Sequence, residues 1–467
     1  SNINKYEVRD DNKFGPSLYA NKDYNIGDIV VLEHALYITS NNFINSIQKY
    51  ENLELISKYF KIDYDTDVSD CSTTSNTISN TNNTNNESRH LIEWKSAFSL
   101  NGYTYSNNQQ QTGLYIIASK AAHSCSPNVA TITNASDQTL CFIAIKSIPM
   151  GTMIQSSYLD GNKLVYPTVL RREIILKQYH FNCQCVRCVG VDTLRPLNCE
   201  LCLGKCCVYY NTSTDLWVCG SSSDTTNTTT NTTNINTGCK EEFDVERADE
   251  NLYVDVDQQA QEQLKCFDDI NDNNDNNDNN DNDTGDNSDS DGKRTKKVLI
   301  GTLDGLNMLI KYIPKSHWTV VFMKRVLVEN TMSGNTTATT GTGTGTGKPT
   351  STTSSKLSNI DFDQFSIDIA MWLYQEISPY SPISAACILH TYKERLFELL
   401  PQNISNTNTN TNTVTSTSTH ILVGAAAQQY KLSQLILKIM KYLYIYYEIQ
   451  YGQNDEDVIE WKRKVGL

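Results

Sequence analysis

The chain has 467 residues, 39% of them hydrophobic, and a formal net charge of −14. Ten aspartates and no lysine or arginine fall within residues 268–291, so the rest of the chain carries only about −4. Without a basic face to neutralise phosphates, a direct nucleic-acid site is not expected, and the acidic tract reads as a solvated spacer. A chain of this length holds two or three domains with cores of their own.

Fourteen cysteines are too sparse for a disulfide scaffold, and their clustered short spacings suit metal ligands in a reducing compartment. Ser1 to Asp11 is polar and charged with no apolar core, so no signal peptide is expected. No stretch approaches the ~18 apolar residues of a membrane span. The expectation is a soluble intracellular protein, cytoplasmic, nuclear or both, with no membrane partner.

Residues 4–40 alternate apolar and polar positions, broken at Gly15-Pro16 and turned at Asn25-Ile26-Gly27-Asp28, which predicts two or three strands. Residues 44–62 have helical spacing, and 66–88 form a Ser/Thr/Asn-rich low-complexity loop. Leu91, Ile92, Trp94, Phe98 and Leu100 again repeat at helical spacing, ending at the turn signal Asn101-Gly102. Residues 129–133 and 140–148 predict a hairpin, and a further strand ends at Tyr158. A short basic helix over Arg171 to Gln178 then delivers the chain to three thiols. Beyond the acidic tract, helical periodicity runs over 297–331, 360–400 and 421–465, interrupted by inserts at 333–355 and 403–419.

Those three thiols, Cys183, Cys185 and Cys188, occupy six positions as C-x-C-x-x-C. A tetrahedral zinc needs a fourth N or S ligand, and Cys125, in the turn-forming run Ser124-Cys125-Ser126-Pro127-Asn128, is the best placed to supply it. A second zinc set is expected at Cys199, Cys202, Cys219 and Cys239, split by a Thr/Asn insert at 221–237, with Cys206 and Cys207 as competing ligands.

Four segments together carry a family resemblance. They are Phe14-Gly15-Pro16-Ser17-Leu18-Tyr19-Ala20 followed by Ile26-Gly27-Asp28; Asn101-Gly102-Tyr103-Thr104; and His123-Ser124-Cys125-Ser126-Pro127-Asn128. The fourth begins at Ser157-Tyr158-Leu159-Asp160 and continues through Arg171-Arg172 to Gln178-Tyr179-His180-Phe181-Asn182 and the cysteine triplet. In order and spacing they resemble the SET-domain protein lysine methyltransferases, in the SET-and-MYND branch. The resemblance covers residues 4–190 well and the helical C-terminus loosely.

The resemblance implies an α+β chain: a SET-type pseudoknotted β fold with a post-SET zinc loop, then an α-helical, TPR-like C-terminal domain. The domains expected are a SET domain over 1–165, a cysteine-rich zinc region over 166–245, an acidic linker over 246–296 and the helical domain over 297–467. It also implies methyl transfer from S-adenosylmethionine to a lysine ε-amine of a protein substrate, histone or non-histone. A lysine, with an ordinary pKa of ~10.4, must lose its proton and its water before it can attack. By resemblance Tyr158 and Tyr179 line the channel in which that happens. Cofactor contacts are implied at Gly15, Asn101, Ala122, His123, Tyr158 and Phe181, and zinc ligation at Cys125, Cys183, Cys185 and Cys188.

The chain departs from the family pattern in places. Ala122 stands where the family has an asparagine that contacts the cofactor; Pro16 and Ser17 alter the first motif; Gly151-Thr152-Met153 replaces Gly-Glu-Glu. The MYND module is missing, since residues 40–90 hold only Cys71 and His90. These departures motivate an alternative, a catalytically inactive SET scaffold whose C-terminal helices bind a protein partner. A zinc hydrolase fits poorly, because such sites keep an open position and use His or Glu ligands.

Overall fold

The computed structural model describes residues 5–39, 60, 97–105, 111–199, 201–202, 206–220, 242–243, 303–310, 313–332, 358–400 and 418–467, without side chains for 39, 242–243, 304, 308, 359–360 and 418–429. The helix read over 44–62 and the low-complexity loop and inserts lie outside these residues, apart from Phe60 and the edges of the inserts. Two compact units form: Ser1–Asp160 with Arg171–Val186 and Ile449–Tyr451, and Gly161–Leu170 with Arg187–Glu448 and Gly452–Leu467.

In the first unit, β1 (Tyr6–Asp11) and β2 (Gly15–Ala20) make an antiparallel hairpin with Asp11 opposite Gly15. Asp11 shapes the turn by accepting the amide N–H groups of Lys13 and Phe14 at 2.8 and 3.0 Å. Gly15 resumes the strand at φ +70°, a left-handed conformation that a side chain resists. Thus the Gly-Pro pair opens a strand, with Pro16 exposed and paired with Asp10.

Two small antiparallel sheets complete the scaffold. One orders β3 (Ile29–His34), β9 (Thr139–Ala144) and β8 (Val129–Asn134); the other orders β4 (Tyr37–Thr39), β6 (Thr112–Leu114) and β5 (Gly102–Thr104). Residues 4–40 therefore hold four strands, one more than the alternation predicts, because β4 is only three residues long. Inward-facing Leu18, Val30, Tyr115, Leu140, Phe142 and Ile154 are buried in one core.

The chain closes this scaffold by threading. Ile154 donates its N–H to Leu18 O at 2.8 Å, and Ala20 to Thr152 O at 2.9 Å, so residues 152–154 zip onto β2. Immediately afterwards β10 (Gln155–Ser156) lies parallel to β7 (Ala122–His123). Asn128 secures the crossing with its side chain, donating to Met153 O and accepting from the Gln155 N–H, both at 2.8 Å. One side-chain amide thus serves two peptide groups of the crossing.

In the second unit, β11 (Leu197–Asn198), β12 (Cys207–Asn211), β13 (Leu216–Gly220) and β14 (Glu242–Phe243) form a sheet in that order. Helix α1 (Thr168–Tyr179) links segments of the two units, and Asp192 accepts the Thr168 N–H at its start, at 2.9 Å. The C-terminal helices are α2 (Leu303–Leu309), α3 (Trp318–Met332), α4 (Asn359–Trp372), α5 (Pro382–Glu398), α6 (Ser418–Tyr451) and α7 (Glu456–Val465). Local signals set their ends. Ser358 accepts the Asp361 N–H before α4, Asp455 accepts the Val458 N–H before α7, and Gly466 ends α7 at φ +70°. Ion pairs Lys324–Asp368 at 2.6 Å and Lys393–Asp457 at 2.5 Å tie α3 to α4 and α5 to α7.

Candidate active site and thiol cluster

The parallel pairing of β7 with β10 brings residues 122–125 beside 155–158. His123 is the hinge of the arrangement. Its Nδ1 accepts the N–H of Tyr158 at 3.0 Å, and its Nε2 lies 3.3 Å from Sγ of Cys125. An amide nitrogen can only donate, so Nδ1 is the bare nitrogen and Nε2 carries the proton toward the sulfur. The ring is buried, which pushes its pKa down to about 4 and keeps it neutral.

Tyr158 turns its hydroxyl inward, donating to Ala121 O at 2.9 Å. Its ring lies 4.9 Å from that of Tyr179 and 5.1 Å from His123, each tilted by 49°. Burial, and then the neighbouring Tyr179, push the Tyr158 phenol up to about 12; burial raises Tyr179 as well. Both therefore stay protonated, able to donate as well as accept. Tyr179 reaches the pair because α1 ends there and His180 takes a left-handed φ of 59°, donating its N–H back to Leu176 O at 3.0 Å. That reversal places Phe181 with its centroid 6.1 Å from His123.

Of the residues expected to act, the structure brings together His123, Tyr158, Tyr179 and Phe181 in one ring cluster, with Ala122 adjacent in β7. Gly15 stands at the start of β2. Asn101 donates its side-chain amide to Ala97 O at 3.0 Å, ending the helical turn over 97–101.

Two residues carry more than the sequence reading assigned. Tyr103 lies within the Asn101-Gly102-Tyr103-Thr104 motif but had no role. Its hydroxyl donates to Ala118 O at 2.9 Å, and burial first, then Tyr158, raises its pKa strongly. Glu33 had no local signal at all, because its partners are more than eighty residues away. Its carboxylate accepts the N–H groups of Ile117 and Ala118 at 3.0 Å. It thereby holds the segment whose carbonyls at 118 and 121 receive the Tyr103 and Tyr158 hydroxyls.

The sulfurs of Cys125, Cys183, Cys185 and Cys188 all lie within 4.8 Å of one another, with Cys125 and Cys183 at 4.0 Å. Cys188 follows Cys185 by three residues, so the local chain turn sets its place. These spacings are far beyond an S–S bond of about 2.05 Å. They approach the sulfur–sulfur edge of about 3.8 Å that Zn–S bonds of about 2.3 Å give in a tetrahedron. All four thiols are free of disulfides. The donor set fits zinc. Arg172, second of the arginine pair, donates Nε to Cys183 O at 3.1 Å and steadies the loop.

The chain matches the SET domain family over residues 15–159. Among curated proteins, the SET domain-containing protein L678 of Acanthamoeba polyphaga mimivirus is 27% identical over 107 residues, 23% of this chain and 39% of that protein. The mouse protein-lysine N-trimethyltransferase SMYD5 is 33% identical over 83 residues, 18% of this chain and 20% of that one. The mouse histone-lysine N-methyltransferase SMYD3 is 33% identical over 95 residues, 20% and 21% respectively. The chain thus spans well under half the length of each of these relatives. A solved chain from Plasmodium falciparum, named a "putative histone methyltransferase", shares 12% identity at a TM-score of 0.19, covering 33% of this chain and 93% of that one. The order of the motifs, the family match over residues 15–159 and the curated relatives agree: residues 15–159 are a SET domain, related to those of the SET-and-MYND lysine methyltransferases.

Proposed function

We propose that the chain is an S-adenosylmethionine-dependent protein-lysine N-methyltransferase. The observation that carries this is the Tyr158–Tyr179 pair, two protonated phenols 4.9 Å apart beside His123 in a SET domain. The residues fit the cofactor at two points. Phe181 keeps part of its ring exposed for an adenine face, and the backbone of Ala122 and His123 edges the same cluster. At Ala122 a methyl stands in place of an amide, so one polar contact is missing. The bound cofactor would supply a methyl group activated by a sulfonium.

The chain's own residues do the rest. The Tyr158 and Tyr179 rings give a lysine side chain apolar walls, strip its water and so favour its neutral amine. The Tyr179 hydroxyl and the backbone around Tyr158 orient the nitrogen lone pair. Holding the amine in one orientation where the cofactor would bind would supply most of the rate. The thiol cluster is structural: with four sulfur donors it holds residues 183–188 against the Cys125 loop, fixing Phe181 and Tyr179 from one side.

The Ala122 methyl and Pro16 favour a second reading, in which the SET domain is an inactive scaffold and the C-terminal helices, as a TPR-like array, bind a partner. A calorimetric titration of S-adenosylmethionine into zinc-replete protein separates them. Micromolar binding, with methyl transfer to a lysine-bearing protein such as a histone mixture, supports the enzyme. Absence of binding favours the scaffold.

A further inference from the structure

We propose that the sheet β11–β14 holds its own structural zinc ion, on the thiolates of Cys199, Cys202 and Cys219. This site lies in the second unit and stands whether or not the chain transfers methyl groups. The three sulfurs lie within 4.8 Å of one another, and those of Cys202 and Cys219 are 3.6 Å apart. That distance is too long for a disulfide, at about 2.05 Å. It is close to the tetrahedral edge of about 3.8 Å expected around zinc.

The fold assembles this set from one loop and one strand. Cys199 and Cys202 form a C-x-x-C knuckle directly after β11, closed by the Cys199 N–H donating to Cys206 O at 3.0 Å. Cys219 comes from β13, opposite Val208 of β12. Cys206 and Cys207, the competing thiols, are not in the group. Cys239, the fourth ligand expected from sequence, lies outside the described residues; the three described thiols supply three of the four tetrahedral positions, and the proposal rests on them.

The sheet brings the thiols together inside an apolar core. Two of its four strands are two residues long, so few ladder hydrogen bonds fix the ends that carry Cys199. Cys199 and Cys219 are buried at 0% and 1% exposure, among Leu197, Val208, Trp217 and Leu306. Buried thiols make weak hydrogen bonds, so three converging there gain little from each other. A soft divalent ion turns the same three into a cross-link, and thiolates select zinc over magnesium or calcium.

The test is zinc stoichiometry of the full chain by plasma mass spectrometry. Wild-type protein should hold two equivalents. Cys202→Ser and Cys185→Ser should each hold one, and Cys207→Ser, a thiol on β12 outside the trio, should keep two. A Cys202→Ser protein with the wild-type zinc content overturns the proposal. Should Cys202→Ser fail to fold, Cys185→Ser decides: one retained equivalent upholds the second site, and none overturns it. A single wild-type equivalent that Cys202→Ser loses and Cys185→Ser keeps would uphold this site while removing zinc from the Cys125 cluster.

Discussion

Nδ1 of His123 accepts the backbone N–H of Tyr158 at 3.0 Å while Nε2 faces Sγ of Cys125 at 3.3 Å. One neutral imidazole therefore joins the segment after β10, which carries Tyr158, to the thiol cluster. His123→Ala strands the Tyr158 amide and opens a cavity in a buried position. The expected cost is about 1–3 kcal/mol of stability, read by chemical denaturation, with loss of methyl transfer. Unchanged stability would show that the imidazole does not carry this link.

Tyr158→Phe and Tyr179→Phe keep the ring walls and remove the polar handles. Each is expected to cut turnover sharply; Tyr179→Phe should move the denaturation midpoint little, while Tyr158→Phe should cost about 1–3 kcal/mol because the Ala121 carbonyl loses its donor. Equal rates in wild type and variants would place the lysine channel elsewhere.

Burial holds the Tyr158 phenol up at about 12, with Tyr179 also raised. An acid whose folded pKa exceeds its unfolded value of about 10 contributes stability that is present below pH 10 and lost as pH rises toward 12. The methyl-transfer rate should rise through the alkaline range, as more of the lysine substrate is neutral, with no fall from tyrosine ionisation below about pH 10. Initial rates at saturating cofactor between neutral pH and pH 10 check this; a decline near pH 9 would contradict it.

Glu33→Ala removes the acceptor for the Ile117 and Ala118 amides. Roughly 2 kcal/mol or more should be lost, since two N–H groups are left without a partner. Turnover should fall too, because the Ala118 and Ala121 carbonyls lose their anchor. Glu33→Gln, which keeps one acceptor oxygen, should recover part of both, and an alanine variant as stable and active as wild type would exclude the clamp.

A Cβ at Gly102 would overlap Phe98 O and Thr112 Cγ2, the first of them backbone. Gly102→Ala should therefore shift β5 away from the preceding turn and cost about 1–3 kcal/mol, measured by thermal unfolding. By contrast Ala122→Asn restores an amide at the edge of the ring cluster. Severalfold tighter S-adenosylmethionine binding is expected by calorimetry, from a hydrogen bond worth about 0.5–1.5 kcal/mol.

The sequence by itself determined the local features. The C-x-C-x-x-C triplet, the Ser124–Asn128 turn, the 129–148 hairpin and the helical stretches of the C-terminus are written in residue spacing. Turn chemistry, thiol spacing and amphipathic period act over a few residues, and so they are legible. Tyr158 and Tyr179 were legible as a pair through the order of motifs, not through any local property, since tyrosine is common in this chain. Only the tertiary structure decided what joins distant segments. The threading of 152–156 between β2 and β7, the Asn128 amide that fastens it, and Glu33 reaching Ile117 are long-range hydrogen bonds with no periodicity to announce them. The tautomer of His123 belongs with these. It follows from which nitrogen meets an amide and which meets a sulfur, and only the folded chain brings Tyr158 and Cys125 to opposite sides of one ring.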